Sequence, residues 1–217
     1  HNMKLRLLAF IFILSQASIV IGAGFSGAIN VGFRPESITK QLTQQTVIRV
    51  FQDSLGYLWI LTQEGLNKYN GLELENYRYS QSNPQTISSN AVTGIAEDLR
   101  GNIWISTSGG GLNKYNKANN SFTTIYTTND SSKSPLSNDI QTIFCDKNGI
   151  LWLGYQNAYG TYNPDTGVFA SYTQSSNSLP YLGLVNRFDQ DAGGTIWAAT
   201  EGGLLEIDTN SYKSKIH

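Results

Sequence analysis

The sequence predicts an all-β protein assembled from about four repeats, each holding four short antiparallel strands. Charged residues form only 14% of the 217 residues, against about 25% in an average soluble domain, which argues against coiled coils and long surface helices. The chain also contains 21 glycines and 12 tyrosines, as expected for short strands joined by polar turns. The strongest observation is a seven-residue motif that recurs every 45 to 48 residues.

The repeated motif has the pattern D-x-x-G-x-[LI]-W and uses all four tryptophans of the chain. In each copy the Asp can accept hydrogen bonds from the turn's own amides, the Gly supplies a positive φ and the Trp opens the next strand. Because the motif occurs once per repeat, we predict structural roles for its residues, with the Trp packed between neighbouring repeats. These residues are Asp53, Gly56, Trp59, Asp98, Gly101, Trp104, Asp146, Gly149, Trp152, Asp191, Gly194 and Trp197.

Each repeat is predicted to contain four strands in a fixed order. An apolar stretch before the Asp forms the first strand, the Trp opens the second, a Gly-containing loop leads to the third and a polar turn leads to the fourth. The first strands are predicted near 47–51, 92–96, 140–145 and 185–188. The fourth strands are marked most clearly near 74–77, 122–126 and 168–172.

Four antiparallel strands in a unit of about 45 residues are typical of a β-propeller blade. Within a propeller region spanning 29–217, we predict blades near 47–79, 92–126, 140–172 and 185–217. Four blades are at the lower limit for a closed ring, so we expect the chain to be part of a larger propeller, with open blade edges that favour self-association. The alternative is a closed ring in which residues 29–33 supply the outer strand of the last blade.

Residues 1–28 are predicted to be a two-residue expression scar followed by a secretory signal peptide. Lys4 and Arg6 precede an apolar run over 7–21, and small residues follow, with cleavage expected after Ala23 or Ala28. An uncleaved anchor helix is the alternative, but the apolar core falls short of the roughly 20 residues that a membrane span needs. We therefore expect export across the inner membrane to the periplasm, which suits a chain with a single cysteine.

Composition excludes several classes of function. The net charge is −1, so no basic field exists to hold nucleic acid or acidic lipid. The only histidines are His1 and His217, which leaves the interior of the sequence without a histidine for a catalytic triad, a metal site or a phosphoacceptor. Cys145 is the only cysteine, so no intrachain disulfide or cysteine zinc cluster is expected. We therefore predict no catalytic residues, no metal site and no cofactor.

The repeats resemble the two-component regulator propeller repeat of bacterial signalling proteins. The resemblance extends over about residues 33–210, and its clearest matches are Ile87-Ser88-Ser89-Asn90, Glu97-Asp98, Gly101-Asn102-Ile103-Trp104-Ile105-Ser106-Thr107 and Gly110-Gly111-Leu112-Asn113-Lys114-Tyr115. It implies a periplasmic, non-catalytic sensor of a small molecule or oligosaccharide in a hybrid histidine kinase or diguanylate cyclase. It also implies partners outside this segment, namely further blades, a membrane helix and a cytoplasmic output domain.

The third repeat departs from the others in the loop after its Trp. Tyr155 stands where the other repeats have threonine, and Tyr159 stands where two of them have leucine. One interpretation is that Tyr155, Gln156 and Asn157 offer an aromatic ring and two amides to a ligand such as a sugar. The other is drift within a decaying repeat, with Tyr159 replacing a core leucine.

The loops between second and third strands are expected to share one face of the propeller with the connectors between repeats. Their side chains differ between repeats, as those of a ligand-reading face would, although exposed loop tips vary in any case. The candidate ligand-binding residues are Gln63, Glu64, Ser108, Tyr155, Gln156, Asn157 and Glu201.

Two acidic pairs leave an enzymatic alternative open. Glu97 with Asp98 and Asp189 with Asp191 have the composition of a glycosidase site, which uses two carboxylates. Both pairs adjoin the repeated turn, so turn capping is the favoured interpretation. A propeller enzyme such as a lyase and a free-standing secreted binding propeller are the alternatives to the sensor.

Overall fold

The computed structural model describes residues 41–177, 179–209 and 211–217. These residues contain sixteen strands and one short helix. The predicted signal segment and the candidate closing strand at 29–33 lie outside these residues. The strands are β1 (Val47–Gln52), β2 (Leu58–Thr62), β3 (Gly65–Tyr69), β4 (Leu74–Tyr77), β5 (Val92–Glu97), β6 (Ile103–Thr107), β7 (Gly111–Asn116), β8 (Ser121–Ile125), β9 (Thr142–Cys145), β10 (Leu151–Tyr155), β11 (Ala158–Asn163), β12 (Val168–Thr173), β13 (Val185–Gln190), β14 (Ile196–Thr200), β15 (Gly203–Ile207) and β16 (Ser214–Ile216).

The strands form four separate four-stranded antiparallel sheets, each a meander in chain order. We call them blade 1 (β1–β4), blade 2 (β5–β8), blade 3 (β9–β12) and blade 4 (β13–β16). The first strands lie side by side, since β5 contacts both β1 and β9, and β9 contacts β13. The predicted all-β propeller with four blades of four strands is thus confirmed.

The helix α1 (Gln174–Asn177) has only four residues and follows β12. None of the helices in the described ranges is long and apolar enough to cross a bilayer.

The motif Asp ties the turn between the first two strands of each blade to the Trp. In blade 1, Oδ1 of Asp53 accepts hydrogen bonds from the backbone N–H groups of Leu55 and Tyr57 at 3.1 and 2.9 Å, and Oδ2 accepts the indole N–H of Trp59 at 2.9 Å. The motif glycines have φ between +74° and +100°, which a side chain would strain. The same carboxylate–indole bond measures 2.8 Å for Asp98–Trp104, 2.9 Å for Asp146–Trp152 and 3.0 Å for Asp191–Trp197.

Three apolar clusters fill the junctions between successive blades. Each contains the motif Trp of the earlier blade and a first-strand residue of the later one: Trp59 with Ile95, Trp104 with Ile143, and Trp152 with Phe188. These three tryptophans are at most 2% exposed, whereas Trp197, in the last described blade, is only half-buried. The predicted packing between blades therefore holds at each described junction. Trp197 belongs to none of the three apolar clusters of the described residues, and the His217 ring lies 5.7 Å from it.

Removing a tryptophan should cost more at an internal junction than at the last blade. Trp152→Ala empties a buried site, and we expect a loss of about 3–5 kcal/mol in the free energy of unfolding, as for other buried tryptophans. Trp197→Ala removes a half-buried ring and should cost clearly less. Urea unfolding of both variants at low protein concentration measures the difference, and equal losses would contradict it.

Acid should weaken the turn motif. Burial acts to raise the pKa of Asp98, but hydrogen bonds from the Trp104 indole and from Asn102 outweigh it and hold the pKa below its ordinary value. A carboxyl group with a lowered pKa in the folded state stabilises the fold above its unfolded pKa of about 3.9, and that contribution is lost as pH falls through the folded value.

The test compares the wild type with Asp98→Asn, whose amide nitrogen cannot accept the indole hydrogen bond. The difference in their melting temperatures should be largest near about pH 7 and should shrink toward about pH 3 as the wild-type carboxylate protonates. A difference that stays constant over this range would refute the role given to the Asp98 charge.

Candidate functional site

The loops between second and third strands lie against the inter-blade connectors, as the sequence predicts. Backbone hydrogen bonds join Gln63 N to Thr46 O at 3.3 Å and Ser108 N to Ala91 O at 2.9 Å. In blade 4, Glu201 N donates to Leu184 O at 3.1 Å. We call the surface formed by residues 63–64, 108–109, 156–157 and 201–202 the rim.

Three of the candidate rim side chains hold the connectors in place. Ser108 Oγ donates to Asp139 Oδ1 at 2.6 Å, Asn157 Oδ1 accepts from Gly183 N at 2.8 Å, and Glu201 Oε2 accepts from Leu184 N at 3.0 Å. These contacts give Ser108, Asn157 and Glu201 a structural role.

Gln63, Glu64 and Gln156 are the rim candidates that face solvent. All three are exposed, and within the described ranges their side chains make no hydrogen bond. They are the part of the predicted ligand-binding set that is free to meet a ligand.

The structure corrects the prediction for Tyr155. Its side chain is 3% exposed and lies in the apolar cluster between blades 2 and 3. Burial raises the pKa of its hydroxyl, which hydrogen-bonds to the backbone of Leu136. The ring is therefore inside the fold and unavailable to stack on a ligand at the rim. Tyr159 is fully buried beside Trp152 at a ring distance of 6.0 Å, as expected if it replaces a core leucine.

The carboxylates of the two acidic pairs, Glu97 with Asp98 and Asp189 with Asp191, accept hydrogen bonds from neighbouring residues. Glu97 accepts hydrogen bonds from Ser54 N at 2.7 Å and Ser54 Oγ at 2.5 Å, and thereby links blade 2 to the turn of blade 1. Asp98 and Asp191 are the turn residues described above, and exposed Asp189 accepts from Gln190 N at 2.9 Å. This geometry supports turn capping over general acid–base catalysis.

A polar cluster that sequence analysis missed lies between blades 1 and 2. Tyr77 OH lies 2.6 Å from both Glu75 Oε2 and Asn120 Oδ1. Tyr115 OH donates to Asn120 Oδ1 at 2.7 Å, and Asn120 Nδ2 donates to Glu75 Oε2 at 2.7 Å. Lys68 Nζ contacts Tyr115 OH at 3.2 Å and Glu75 Oε1 at 3.7 Å. We call these five residues the Tyr77 cluster.

The charges of the Tyr77 cluster are mutually stabilised. The hydrogen bond from Tyr77 holds the pKa of Glu75 below its usual value, against the opposing effect of burial. Burial and the neighbouring Glu75 carboxylate raise the pKa of Tyr77. For Lys68, burial acts to lower the pKa, but the hydrogen bond to Tyr115 and the Glu75 charge outweigh it and raise the pKa. Glu75 is thus ionised and Lys68 protonated at neutral pH.

Beside this cluster is a cleft of about 220 Å³. The end of β4, the connector from blade 1 to blade 2 and the β7–β8 hairpin enclose it, and Phe122 N donates to Gln85 O across it at 2.8 Å. Asn83, Gln85 and Asn119 line the cleft and are exposed. Their side-chain amide nitrogens have no hydrogen-bond partner in the described part of the chain. Arg78 lines it as well and donates to Thr43 O.

The Tyr77 cluster does not recur at the next junction. Strand register aligns Tyr77 with Ile125, because these residues pair with Leu66 and Leu112 at the same place in their blades. Asn120 aligns with Gly167, because each directly precedes the fourth strand of its blade. Both have a positive φ, +56° for Asn120 and +72° for Gly167. A non-glycine residue at that position was the one signal in the sequence that could have pointed here.

Comparison with known proteins confirms the resemblance seen in the repeats. Residues 134–157 match the family model of the two component regulator propeller. A search of curated proteins found no match.

Among solved structures, the chain is similar to BT3049 of B. thetaiotaomicron, described as the extracellular domain of a hybrid two component system. The identity is 28% and the TM-score 0.72, over 81% of this chain and 25% of that one. The extracellular domain of BT4673 from the same organism matches at 20% identity and a TM-score of 0.67, over 82% of this chain and 26% of that one. A Bacteroides caccae protein of unknown function matches at 10% identity and a TM-score of 0.53, over 77% and 58%. The chain spans about a quarter of the length of the BT3049 and BT4673 structures.

Removing one hydroxyl from the Tyr77 cluster should destabilise the junction between blades 1 and 2. Tyr77→Phe removes the hydrogen bonds between the Tyr77 hydroxyl and the half-buried Glu75 carboxylate and exposed Asn120 amide, and we expect a loss of about 0.5–1.5 kcal/mol in the free energy of unfolding. Tyr69→Phe is the matched control, because the Tyr69 hydroxyl donates to Gly71 O at an exposed site and should change stability by about 0.5 kcal/mol or less. Urea titration measures the free energy of unfolding of both variants. Equal losses would show that the Tyr77 hydroxyl stabilises the fold no more than an exposed tyrosine hydroxyl does.

Proposed function

We propose that this chain is an exported, ligand-sensing β-propeller segment of a larger, membrane-bound signal-transduction protein, and that the segment itself catalyses no reaction. The match of residues 134–157 to the two component regulator propeller supports it. So does the 28% identity to a domain described as the extracellular part of a hybrid two component system, of which this chain spans a quarter. Further blades, a membrane helix and a cytoplasmic output domain belong to this proposal.

The observation that carries the ligand-binding part is the cleft between blades 1 and 2. The side-chain amide nitrogens of Asn83, Gln85 and Asn119 lack protein partners within the described ranges, whereas the Asn83 and Asn119 amide oxygens accept from Gln85 N and Ser121 Oγ. Side-chain amides can both donate to and accept from hydroxyl groups. A residue that merely builds the ring recurs in each blade. The Tyr77 cluster beside this cleft is replaced at the next junction, where Ile125 holds the position of Tyr77, although blade 3 has Tyr172 at that position. A side chain that binds a ligand is expected to differ from the residues at the same position in the other blades.

The ligand class that fits best is a neutral carbohydrate. Pockets for drug-sized ligands usually measure about 300–1,000 Å³, so a cleft of about 220 Å³ has room for one sugar ring, with the rest of an oligosaccharide projecting into solvent. The half-exposed carboxylate of Glu75 already has donors from Tyr77, Asn120 and Lys68. The unpaired groups that remain are mainly amides, which match hydroxyl groups.

Signalling follows from the place of the cleft between two blades. A ligand held by the connector and by the β7–β8 hairpin contacts residues that dock blade 1 on blade 2, so it stabilises one packing of that junction over another. Such a ligand shifts the population of blade arrangements by its differential affinity. The shift would then reach the output domain through the remaining parts of the protein.

The rim offers a second surface for the same function. Gln63, Glu64 and Gln156 are exposed side chains without hydrogen bonds in the described residues. They surround no described cavity, and for this reason the cleft takes precedence in the proposal.

A panel of neutral hexoses, pentoses and their β-linked disaccharides tests the proposal by thermal shift and ligand-observed NMR. We expect binding by the wild type, with at least a tenfold loss of affinity in the double variant Gln85→Ala/Asn119→Ala, because hydrogen bonds to the sugar disappear. The rim double variant Gln63→Ala/Gln156→Ala is the matched control and should bind as the wild type does.

Each of the other outcomes identifies what fails. Loss of binding only in the rim variant moves the site to the rim and preserves the sensing function. Turnover of any disaccharide overturns the non-catalytic assignment, and absence of binding across the panel overturns the carbohydrate assignment.

A further inference from the structure

The hairpin between the third and fourth strands of each blade is closed by the same kind of side chain. Two positions after the residue that pairs with the motif Trp stand Asn70, Asn116, Asn163 and Asp208. In each of them Oδ1 accepts a hydrogen bond from a backbone N–H group two or three residues further along the chain, at 2.7 to 3.3 Å. Asn and Asp commonly close turns in this way, so the side chain at this position is structural in the four described blades.

Blade 1 differs from the other blades in the residue that follows this side chain. Gly71 follows Asn70, whereas Lys117, Pro164 and Thr209 follow in the other three blades. A glycine has no Cβ, so its backbone nitrogen can approach the preceding side chain closely and its backbone can rotate freely. The hairpin of blade 1 therefore carries a chemical possibility that the other three hairpins lack.

An asparagine followed by a glycine can lose its side-chain amide without an enzyme, and asparagine is for this reason a thermolabile residue. Gly71 N loses its proton to water and attacks Asn70 Cγ, the Cγ–Nδ2 bond breaks, and Nδ2 takes up a proton and leaves as ammonia. The product is a cyclic succinimide. Water then adds to one of the two ring carbonyl groups, and the ring opens to aspartate or, when the backbone carbonyl is attacked, to isoaspartate.

The geometry at Asn70 favours this reaction. Oδ1 accepts from Leu72 N at 2.8 Å and from Glu73 N at 2.7 Å, so two backbone donors already face the oxygen on which negative charge develops during the attack. The hydrogen bond from Leu72 N closes a ring that contains Asn70 Cγ and Gly71 N, which keeps the two reacting atoms near each other. Gly71 N and Asn70 Nδ2, the attacking and leaving nitrogens, have no hydrogen-bond partner in the described ranges. Residues 70–73 are exposed, so water reaches them.

The other Asn-Gly pair of the chain, Asn148 and Gly149, lies in the turn motif of blade 3 and is held differently. Gly149 N donates to Asp146 O at 3.0 Å, and the attack would break this hydrogen bond, because the nitrogen must give up its proton. Leu99 lies against Gly149, where an added Cβ would be 3.1 Å from the Leu99 Cδ1 atom. Within the described residues Oδ1 of Asn148 accepts no hydrogen bond, so no donor stabilises the charge that would develop there.

We propose that Asn70 is a site of spontaneous deamidation in the folded protein and that Asn148 is protected from it. The two share the Asn-Gly sequence, so the difference lies in their hydrogen bonds. Aspartate at position 70 fits the hairpin, since Asp208 holds the same position in blade 4 and accepts from Ser211 N at 2.7 Å. This inference is independent of the ligand and of the cleft.

Isoaspartate at this position should loosen the junction between blades 1 and 2. Its Cβ becomes part of the main chain and lengthens the hairpin next to Tyr69 and Leu74, the pair at the end of the β3–β4 ladder. The next pair in the ladder is Lys68 with Glu75, and both belong to the Tyr77 cluster. A change in the hairpin is therefore transmitted to that cluster.

Incubation of the full chain in warm, mildly alkaline buffer tests the proposal. Peptide mapping by mass spectrometry measures the replacement of amide by carboxyl at Asn70 and Asn148, and the same incubation in urea gives the rates of the unfolded chain. We expect Asn70 to react at least tenfold faster than Asn148 in the folded protein, because only Asn70 has donors on its Oδ1. In urea the two rates should be similar. Equal rates in the folded protein, or no reaction at Asn70, would overturn the proposal.

Two serine variants test the effect on stability, and circular dichroism checks that both fold. The hydroxyl of Asn70→Ser can accept from the same turn amides but cannot form a succinimide, so this variant should keep its melting temperature during incubation, whereas the wild type should lose stability as isoaspartate accumulates. Asn148→Ser is the matched control and should change as the wild type does. An unchanged melting temperature in wild type that carries isoaspartate, or an equal loss in Asn70→Ser, would overturn the link to the Tyr77 cluster.

Discussion

The hydrogen bond between the motif Asp and the Trp indole is the interaction on which the other contacts of this fold depend. One carboxylate closes the turn through backbone amides and fixes the indole that fills the space between blades, with Oδ2–Nε1 distances of 2.8 to 3.0 Å in the four copies. Turn geometry and inter-blade packing are thereby determined by the same residue. Loss of the carboxylate would release both at once, which is why the motif recurs intact.

Residues that recur in every blade build this propeller, whereas residues that differ between blades are available for ligand recognition. The motif side chains, the first-strand residues that face the preceding blade and the third-strand residues that receive them recur from blade to blade. The Tyr77 cluster and the cleft beside it do not, and Asp189 interrupts an otherwise apolar position. Recognition in such a fold is expected where the repeat is broken next to a cavity, since the ring does not need those side chains.

Much of the architecture could be predicted from the sequence, because the motif fixes turns, strand starts and tryptophan positions locally. The site was harder to predict for two physical reasons. Whether Tyr155 points inward or outward depends on its packing against the preceding blade, and it points inward, 3% exposed. The Tyr77 cluster joins side chains about 45 residues apart, Glu75 and Asn120 among them, and no local pattern reports such a pairing. Ser108, Asn157 and Glu201 are polar because they hold connectors, which composition alone cannot distinguish from ligand binding.

The central claim is that ligand binds where the repeat is broken, between blades 1 and 2. Hydrogen–deuterium exchange, with and without a saturating neutral disaccharide, tests it most directly, because it reports protection segment by segment. We predict slower exchange in residues 83–87 and 119–122 and unchanged exchange in the β9–β10 and β13–β14 turns. Protection confined to the rim loops at 63–64 and 156–157, or none in any segment, would contradict the account.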